Sequence, residues 1–191
     1  MSSPKRPDWL ETLHAFIHPR VITMLFLGFS AGLPILLIVS SLSLWLREAD
    51  VSRSAVTFFS WAALGYSFKF VWAPLIDKLP VPVLNRLLGR RRSWLLVAQL
   101  AVVLAILWMS SIDPAAGQLS LTLMALAAVL LGFSSATQDI VIDAYRIESA
   151  DESLQALMSS SYIAGYRIGM LLAGAGALFL ADAFGTSMDA Y

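Results

Sequence analysis

The sequence predicts an all-α integral membrane protein, a bundle of about five transmembrane helices, and three observations carry that reading. Hydrophobic residues make up 58% of the 191 and the mean hydropathy is +0.74. Charged residues make up only 14%, against roughly 25% in soluble domains. The apolar residues also gather in runs near about 20 long, the length that crosses roughly 30 Å of hydrocarbon. A water-soluble domain of this size exposes too much surface to accommodate such a composition.

Residues 1–20 form a polar lead-in, with Lys5, Arg6 and Arg20 around Trp9, Leu10, Leu13, Phe16 and Ile17. Asp8 followed by Glu11 suits a capped helix start. The segment is either a cytoplasmic interfacial helix with Trp9 at headgroup level or an ordinary flexible terminus. A first span is expected over about 21–46, where Gly28, Gly32 and Pro34 would break a soluble helix. Within a bundle, neighbouring helices and water satisfy the freed backbone groups. A second span over about 55–76 carries Lys69 and Pro74, and a third covers about 94–112. The fourth, about 119–145, carries Asp139 and Asp143; the fifth, about 154–181, carries Tyr162, Tyr166 and Arg167. Residues 182–191 remain as a tail.

Lys and Arg in the connections set the orientation. Lys5, Arg6 and Arg20 precede span one; Lys78, Arg86, Arg90, Arg91 and Arg92 lie between spans two and three. The segment between spans three and four has no Lys or Arg, nor has the tail. The positive-inside rule therefore predicts a cytoplasmic N-terminus and a periplasmic tail. The polar start and the length of the first run argue against a cleaved signal peptide. Repeat-built transporters use blocks of three helices, and this sequence stops where a sixth would begin. It reads as a truncated fragment or incomplete gene, with a genuine small five-helix protein as the alternative.

Several chemistries are excluded by composition. The chain has no Cys, which removes disulfides, thiolate catalysis and cysteine-ligated metals. Its two histidines, His14 and His18, lie in the polar lead-in, so no buried His pair serves a metal or a base. The Asp139–Asp143 spacing invites comparison with phosphatidyl-alcohol transferases, but the second acidic pair and the accompanying elements of that motif are missing. No enzyme, no cofactor, no metal and no nucleic-acid partner is expected.

The chemistry lies in the charges inside apolar runs, which are costly and face a bundle interior or an aqueous cavity. In the fourth span, FSSATQDIVIDAYR places Asp139, Asp143 and Arg146 on one helix face. Gln138 beside them adds an amide. Asp139 stands nine residues before Glu148, about 13 Å from that end of the helix. Asp143 and Arg146 are shallower, serving either the cavity or a structural ion pair. Lys69, eight residues before Asp77, matches the depth of Asp139 at about 12 Å. The economical expectation is a Lys69–Asp139 interaction or two separate cavity-facing groups, with snorkelling to the interface as the alternative. Tyr66 offers a hydroxyl, a sugar-stacking ring or plain packing. Tyr162, Tyr166 and Gly169 form a stripe in span five, and Gly165, Gly169 and Ala173 a small-residue row suited to close helix packing. Arg167, 15 residues after Glu152, falls near mid-bilayer. It is a candidate for gripping an anionic group through its guanidinium fork, or a structural partner for Asp139 or Asp143.

The loop DKLPVPVLNRLLGRRR, Asp77 to Arg92, resembles the loop signature of the major facilitator superfamily. The matching residues are Asp77 and Lys78, then Gly89, Arg90, Arg91 and Arg92; an insertion with Pro80 and Pro82 separates the two groups. Asp77 suits a gating bond to a neighbouring helix or Arg, and most of the arginines suit anchoring on anionic membrane lipid.

Taken together, LGFSAGLP (27–34), FKFVWAPLIDK (68–78), LGRRRSWLL (88–96), FSSATQDIVIDAYR (133–146) and GYRIGML (165–171) resemble the AmpG-type muropeptide permeases of the major facilitator superfamily. The resemblance implies the N-terminal helical bundle of such a transporter, in a bacterial inner membrane, with a C-terminal half as its missing partner. It implies proton-driven import of anhydromuropeptides for cell-wall recycling, the proton gradient being the energy source. Transport of another anionic solute, or a membrane fragment without transport of its own, are the alternatives. Asp139 or Asp143 would then carry the proton, and Arg167 and Lys69 would hold substrate or compete with the proton for a carboxylate.

Overall fold

The computed structural model describes residues 16–52, 59 and 67–184, all helix and connecting turns. Four of its helices are long and apolar enough to cross a membrane. Half of the expected second span, residues 55–58 and 60–66 with Tyr66 among them, lies outside the described residues, as do residues 1–15 and 185–191.

Helix α1 runs Pro19–Glu48. Proline suits the first helical turn because it has no N–H to leave unsatisfied, and the His18 Nδ1 accepts from the Arg20 backbone N–H at 3.2 Å. Pro34 lies inside the helix and removes the donor that would close on the Ser30 carbonyl. Just beyond it the backbone widens into a π turn, Leu37–Ser41, before the α pitch resumes at Leu42–Glu48. The described end of span two is a 3₁₀ turn, Lys69–Val71, followed by α2, Ala73–Lys78. Pro74 in the first turn of α2 prevents a continuous helix here. After a short α3, Leu84–Leu88, Gly89 turns at φ 77° into α4, Arg90–Ser110.

Asp113 accepts from the Ala115 N–H at 2.8 Å, forming a turn that leads into α5, Gln118–Ser149. At 32 residues α5 is about 48 Å long, so its ends outrun the hydrocarbon and leave Arg146 and Glu148 in polar surroundings. Helix α6 begins at Glu152–Leu171, passes through a second π turn, Leu172–Gly176, and ends as Ala177–Phe184.

Two helix pairs organise the bundle, α1 with α6 and α4 with α5. The first is built on reciprocal glycines. A Cβ on Gly28 would fall inside the van der Waals shell of the Tyr162 carbonyl oxygen, and one on Gly165 would strike the Leu25 carbonyl. Gly32 and Gly169 repeat the contact one turn on. Such backbone proximity is how membrane helices gain packing where lipid offers no hydrophobic drive. Gly28 and Gly32, expected only as tolerated helix breakers, are therefore half of the α1–α6 interface. The two π turns also meet, the Ser41 hydroxyl donating to the Ala173 carbonyl at 3.2 Å.

Two apolar clusters flank a polar middle. One joins Ile38, Leu42 and Leu46 of α1 to Ala105 of α4 and Met124 and Leu131 of α5. The other joins Val21, Met24 and Leu27 of α1 to Ile142 and Met158. Between them Gln138 donates from Nε2 to the Ser30 hydroxyl at 3.2 Å, and Trp72 Nε1 donates to Thr137 Oγ1 at 3.2 Å.

Candidate functional site

An open cleft of about 590 Å³ lies where the 3₁₀ turn, α5 and α6 converge. Six of the residues singled out in the sequence line it: Lys69, Asp139, Asp143, Tyr162, Tyr166 and Arg167. They come together because Asp139 and Asp143 stand one turn apart on α5, while Tyr162 and Tyr166 stand one turn apart on α6. The glycine contacts behind the tyrosines fix them in place: the carbonyls pressed on Gly28 and Gly32 are those of Tyr162 and Tyr166 themselves.

The two carboxylates have different surroundings. Asp139 is mostly enclosed and accepts from the Tyr162 hydroxyl at 3.2 Å. Asp143 is about half exposed and sits between two cations, Lys69 Nζ at 3.7 Å and Arg146 Nη2 at 3.4 Å. Of the two arrangements expected for Lys69 and Asp139, the second holds: both face the cleft as separate groups, and the close Lys69 ion pair is made to Asp143. The long lysine stem reaches a turn along α5, and the ion pair forms at the wetter carboxylate, where desolvation costs less. Asp139 takes the neutral donor instead.

Other expectations change with helix rotation. Gln138 is fully buried against Ser30 of α1 and does not line the cleft, because adjacent helical positions diverge by about 100°. Arg146 stands behind the cleft, donating to the Ser159 hydroxyl at 2.8 Å as well as to Asp143, and so ties α5 to α6. Arg167 is exposed on the cleft wall and makes no ion pair among the described residues, so the structural partnership with Asp139 or Asp143 is not formed. The tyrosine rings are 6.0 Å apart at an interplanar angle of 36°.

A second charged constellation closes the basic end of the bundle. Arg91, at the start of α4, binds Asp77 at the end of α2, 2.5 Å from Nη1 to Oδ1. The same guanidinium binds Glu148 at the end of α5 through both remaining nitrogens, Nε to Oε2 at 3.0 Å and Nη2 to Oε1. Three helix ends are clasped by one side chain, as the planar fork of arginine permits. Of the loop residues singled out in the sequence, Asp77 and Arg91 are in the clasp. Gly89 supplies the positive φ that starts α4, while Lys78, Arg90 and Arg92 are exposed. Glu148 went unrecognised in the sequence as a partner. Its signal was an acid at the end of an overlong helix, facing an arginine triplet of the same chain. The Tyr162 hydroxyl was likewise seen as a stripe member but not as the donor to Asp139.

Comparison with known proteins agrees with this architecture. A family model described as acetyl-coenzyme A transporter 1 matches residues 20–185. A Rickettsia felis protein named as an AmpG transporter is 40% identical over 168 residues, covering 88% of this chain and 40% of the relative. The anhydromuropeptide permease of Escherichia coli K12 is 38% identical over 172 residues, covering 90% of this chain and 34% of the permease. A Rickettsia prowazekii protein named as an AmpG transporter is 39% identical over 167 residues. The chain spans about 40% or less of the length of these relatives. With a matching family model over most of its length and an all-helical bundle of membrane-spanning helices, the chain belongs to the AmpG/anhydromuropeptide permease family of transporters, not of enzymes, and corresponds to the N-terminal portion of such a transporter.

Proposed function

We propose that this chain supplies the proton- and substrate-binding N-terminal part of a proton-coupled importer of anhydromuropeptides, in a bacterial inner membrane, with its N-terminus cytoplasmic. The observation that carries the reading is the cleft itself. Cations, carboxylates and phenols from three separate apolar segments are collected on one open surface, and ionised side chains in spans are kept where they serve a cavity or pathway. The name of the E. coli relative supports the substrate class. An anhydromuropeptide presents sugar hydroxyls and peptide carboxylates, which suit the tyrosines and Arg167 respectively. Asp139 is the proton carrier: among the described residues it is hydrogen-bonded to a neutral hydroxyl and stands in no close ion pair, so it gains or loses a proton without breaking one. Asp143 is held between Lys69 and Arg146 and keeps Lys69 at the cleft. The Arg91 clasp is the gate, closing the cytoplasmic end by joining three helices, and opening means parting Arg91 from Asp77 or Glu148.

The test uses a chimera in which this chain replaces the matching third of the E. coli permease, assayed in a permease-deficient strain for uptake of labelled anhydromuropeptide. Uptake driven by an inward proton gradient is expected. Asp139→Asn, which keeps an acceptor for Tyr162, should abolish proton-coupled uptake while membrane insertion stays normal. Normal coupled uptake by that variant would remove Asp139 from the mechanism. A second reading, transport of a different anionic solute, is favoured by the description of the matching family model. Uptake of labelled acetyl-coenzyme A by the same cells, without uptake of anhydromuropeptide, would select it.

A further inference from the structure

Two adjoining cavities at the basic end of the bundle meet at the Arg91 clasp. The first, about 520 Å³, is walled by Lys78, Arg90, Arg91 and Arg92 together with Asn85 and Tyr145. The second, about 220 Å³, is largely apolar, lined by Leu27 of α1, Leu95 of α4, and Val141 and Ile142 of α5. They share Arg91, Arg92 and Tyr145, so a charged rim and an apolar hollow stand wall to wall.

The charge around the rim is unbalanced. Arg91 is engaged by Asp77 and Glu148, whereas Lys78, Arg90 and Arg92 form no ion pair among the described residues. Beside them the connection from α2 to α4 exposes Leu79, Val83, Leu87 and Leu88, a mixture of cations and apolar side chains suited to the headgroup boundary. A soluble phosphate would satisfy the rim and leave the hollow empty; a neutral lipid would fill the hollow and leave the rim unanswered. One class of molecule matches both parts, an anion carried on a hydrocarbon chain, and it is abundant where basic loops meet a membrane.

We propose that these two cavities together bind one anionic glycerophospholipid, its phosphodiester on Lys78, Arg90 and Arg92 and the start of one acyl chain among Leu27, Leu95, Val141 and Ile142. The bound headgroup lies beside Arg91, so the occupant and the clasp carboxylates share one guanidinium. This differs from general attraction of basic loops to a membrane in requiring a defined apolar hollow and one lipid per chain.

The full chain in neutral detergent is titrated with phosphatidylglycerol and phosphatidylcholine of identical acyl chains and followed by native mass spectrometry. One phosphatidylglycerol should be retained per chain, with at least about a tenfold preference over phosphatidylcholine, given the fivefold or so expected from each basic side chain. The double variant Arg90→Gln, Arg92→Gln should lose about 25-fold in that affinity, on the same figure. Leu95→Trp, which fills the hollow and leaves every charge in place, should also release the lipid; circular dichroism checks that both variants stay helical, and if the double variant does not, Leu95→Trp decides. Glycerol phosphate in large excess should fail to displace the lipid. Equal retention of the two lipids, undiminished binding by Leu95→Trp, or full displacement by glycerol phosphate would each overturn the proposal.

Discussion

The cleft and the clasp use the same residue types and treat them in opposite ways. In the clasp one guanidinium holds two carboxylates at the ends of three helices, and all three of its nitrogens are committed to close, directed bonds. In the cleft the bonds are longer and fewer: Lys69 stands 3.7 Å from Asp143, Asp139 has a single phenolic donor, and Arg167 has no ionic partner among the described residues. The physical lesson concerns where saturation is useful. At a helix end, near water, a saturated cluster costs little desolvation and joins helices. Deeper in the bundle, charges left incompletely paired retain affinity for something that arrives later, a proton or an anionic solute.

The two regions share α5, but the cleft also depends on α6 and the clasp on α2 and α4, so the comparison can be broken one side at a time. The largest effect is expected at the α1–α6 interface. Gly28→Leu forces a side chain into the Tyr162 backbone and should cost about 3 kcal/mol, the upper end of overpacking penalties. It should displace the cleft tyrosines while the clasp, built from α2, α4 and α5, survives. Denaturant unfolding in micelles gives the stability, and cross-linking of paired cysteines introduced beside the clasp, at Lys78 and Arg92, reports whether those helix ends stay together. Next in size is Arg91→Ala, which leaves Asp77 and Glu148 facing one another without a cation. Both carboxylates are about half exposed, so the loss in stability is limited to about 1 kcal/mol by solvent screening. Arg91→Lys should recover part of it, because an ammonium keeps the charge and loses the fork. The smallest effect is expected from Tyr162→Phe, which removes one hydrogen bond to Asp139. Stability should fall by about 1 kcal/mol or less, and the proton dependence of uptake in the chimera should shift more than its maximal rate. A change confined to stability would mean that the hydroxyl merely packs.

Much of this was legible in one dimension, and the exceptions share a cause. Apolar length announced α1, α4, α5 and α6, since a span must contain enough apolar residues to cross hydrocarbon. Lys69, Asp139 and Arg167 announced the cleft because ionised groups are rare in such runs. What the sequence left open was rotation and reach. Gln138 and Asp139 are neighbours in sequence, yet one is buried against Ser30 and the other lines the cleft. Periodicity ranks the faces of one helix without saying which neighbour each face meets. Lys69 reached Asp143 instead of Asp139 because a flexible four-carbon stem blurs any depth ruler built on Cα positions. Gly28 and Gly32 looked like weaknesses of a helix, and their purpose became visible only once the Tyr162 and Tyr166 carbonyls were found against them.

The central claim is that the cleft charges stand in water and not in a sealed ionic core. The chain contains no cysteine, so a single introduced thiol reports one position without background. Ile163→Cys lies on the cleft wall, Ser111→Cys in the exposed turn after α4, and Met124→Cys in the apolar core. Treated with a charged, membrane-impermeant thiol reagent, the cleft and turn cysteines should react and the core cysteine should not. If Ile163→Cys stays as unreactive as Met124→Cys from both sides of the membrane, with and without a proton gradient, the cleft is closed to water and the account is contradicted.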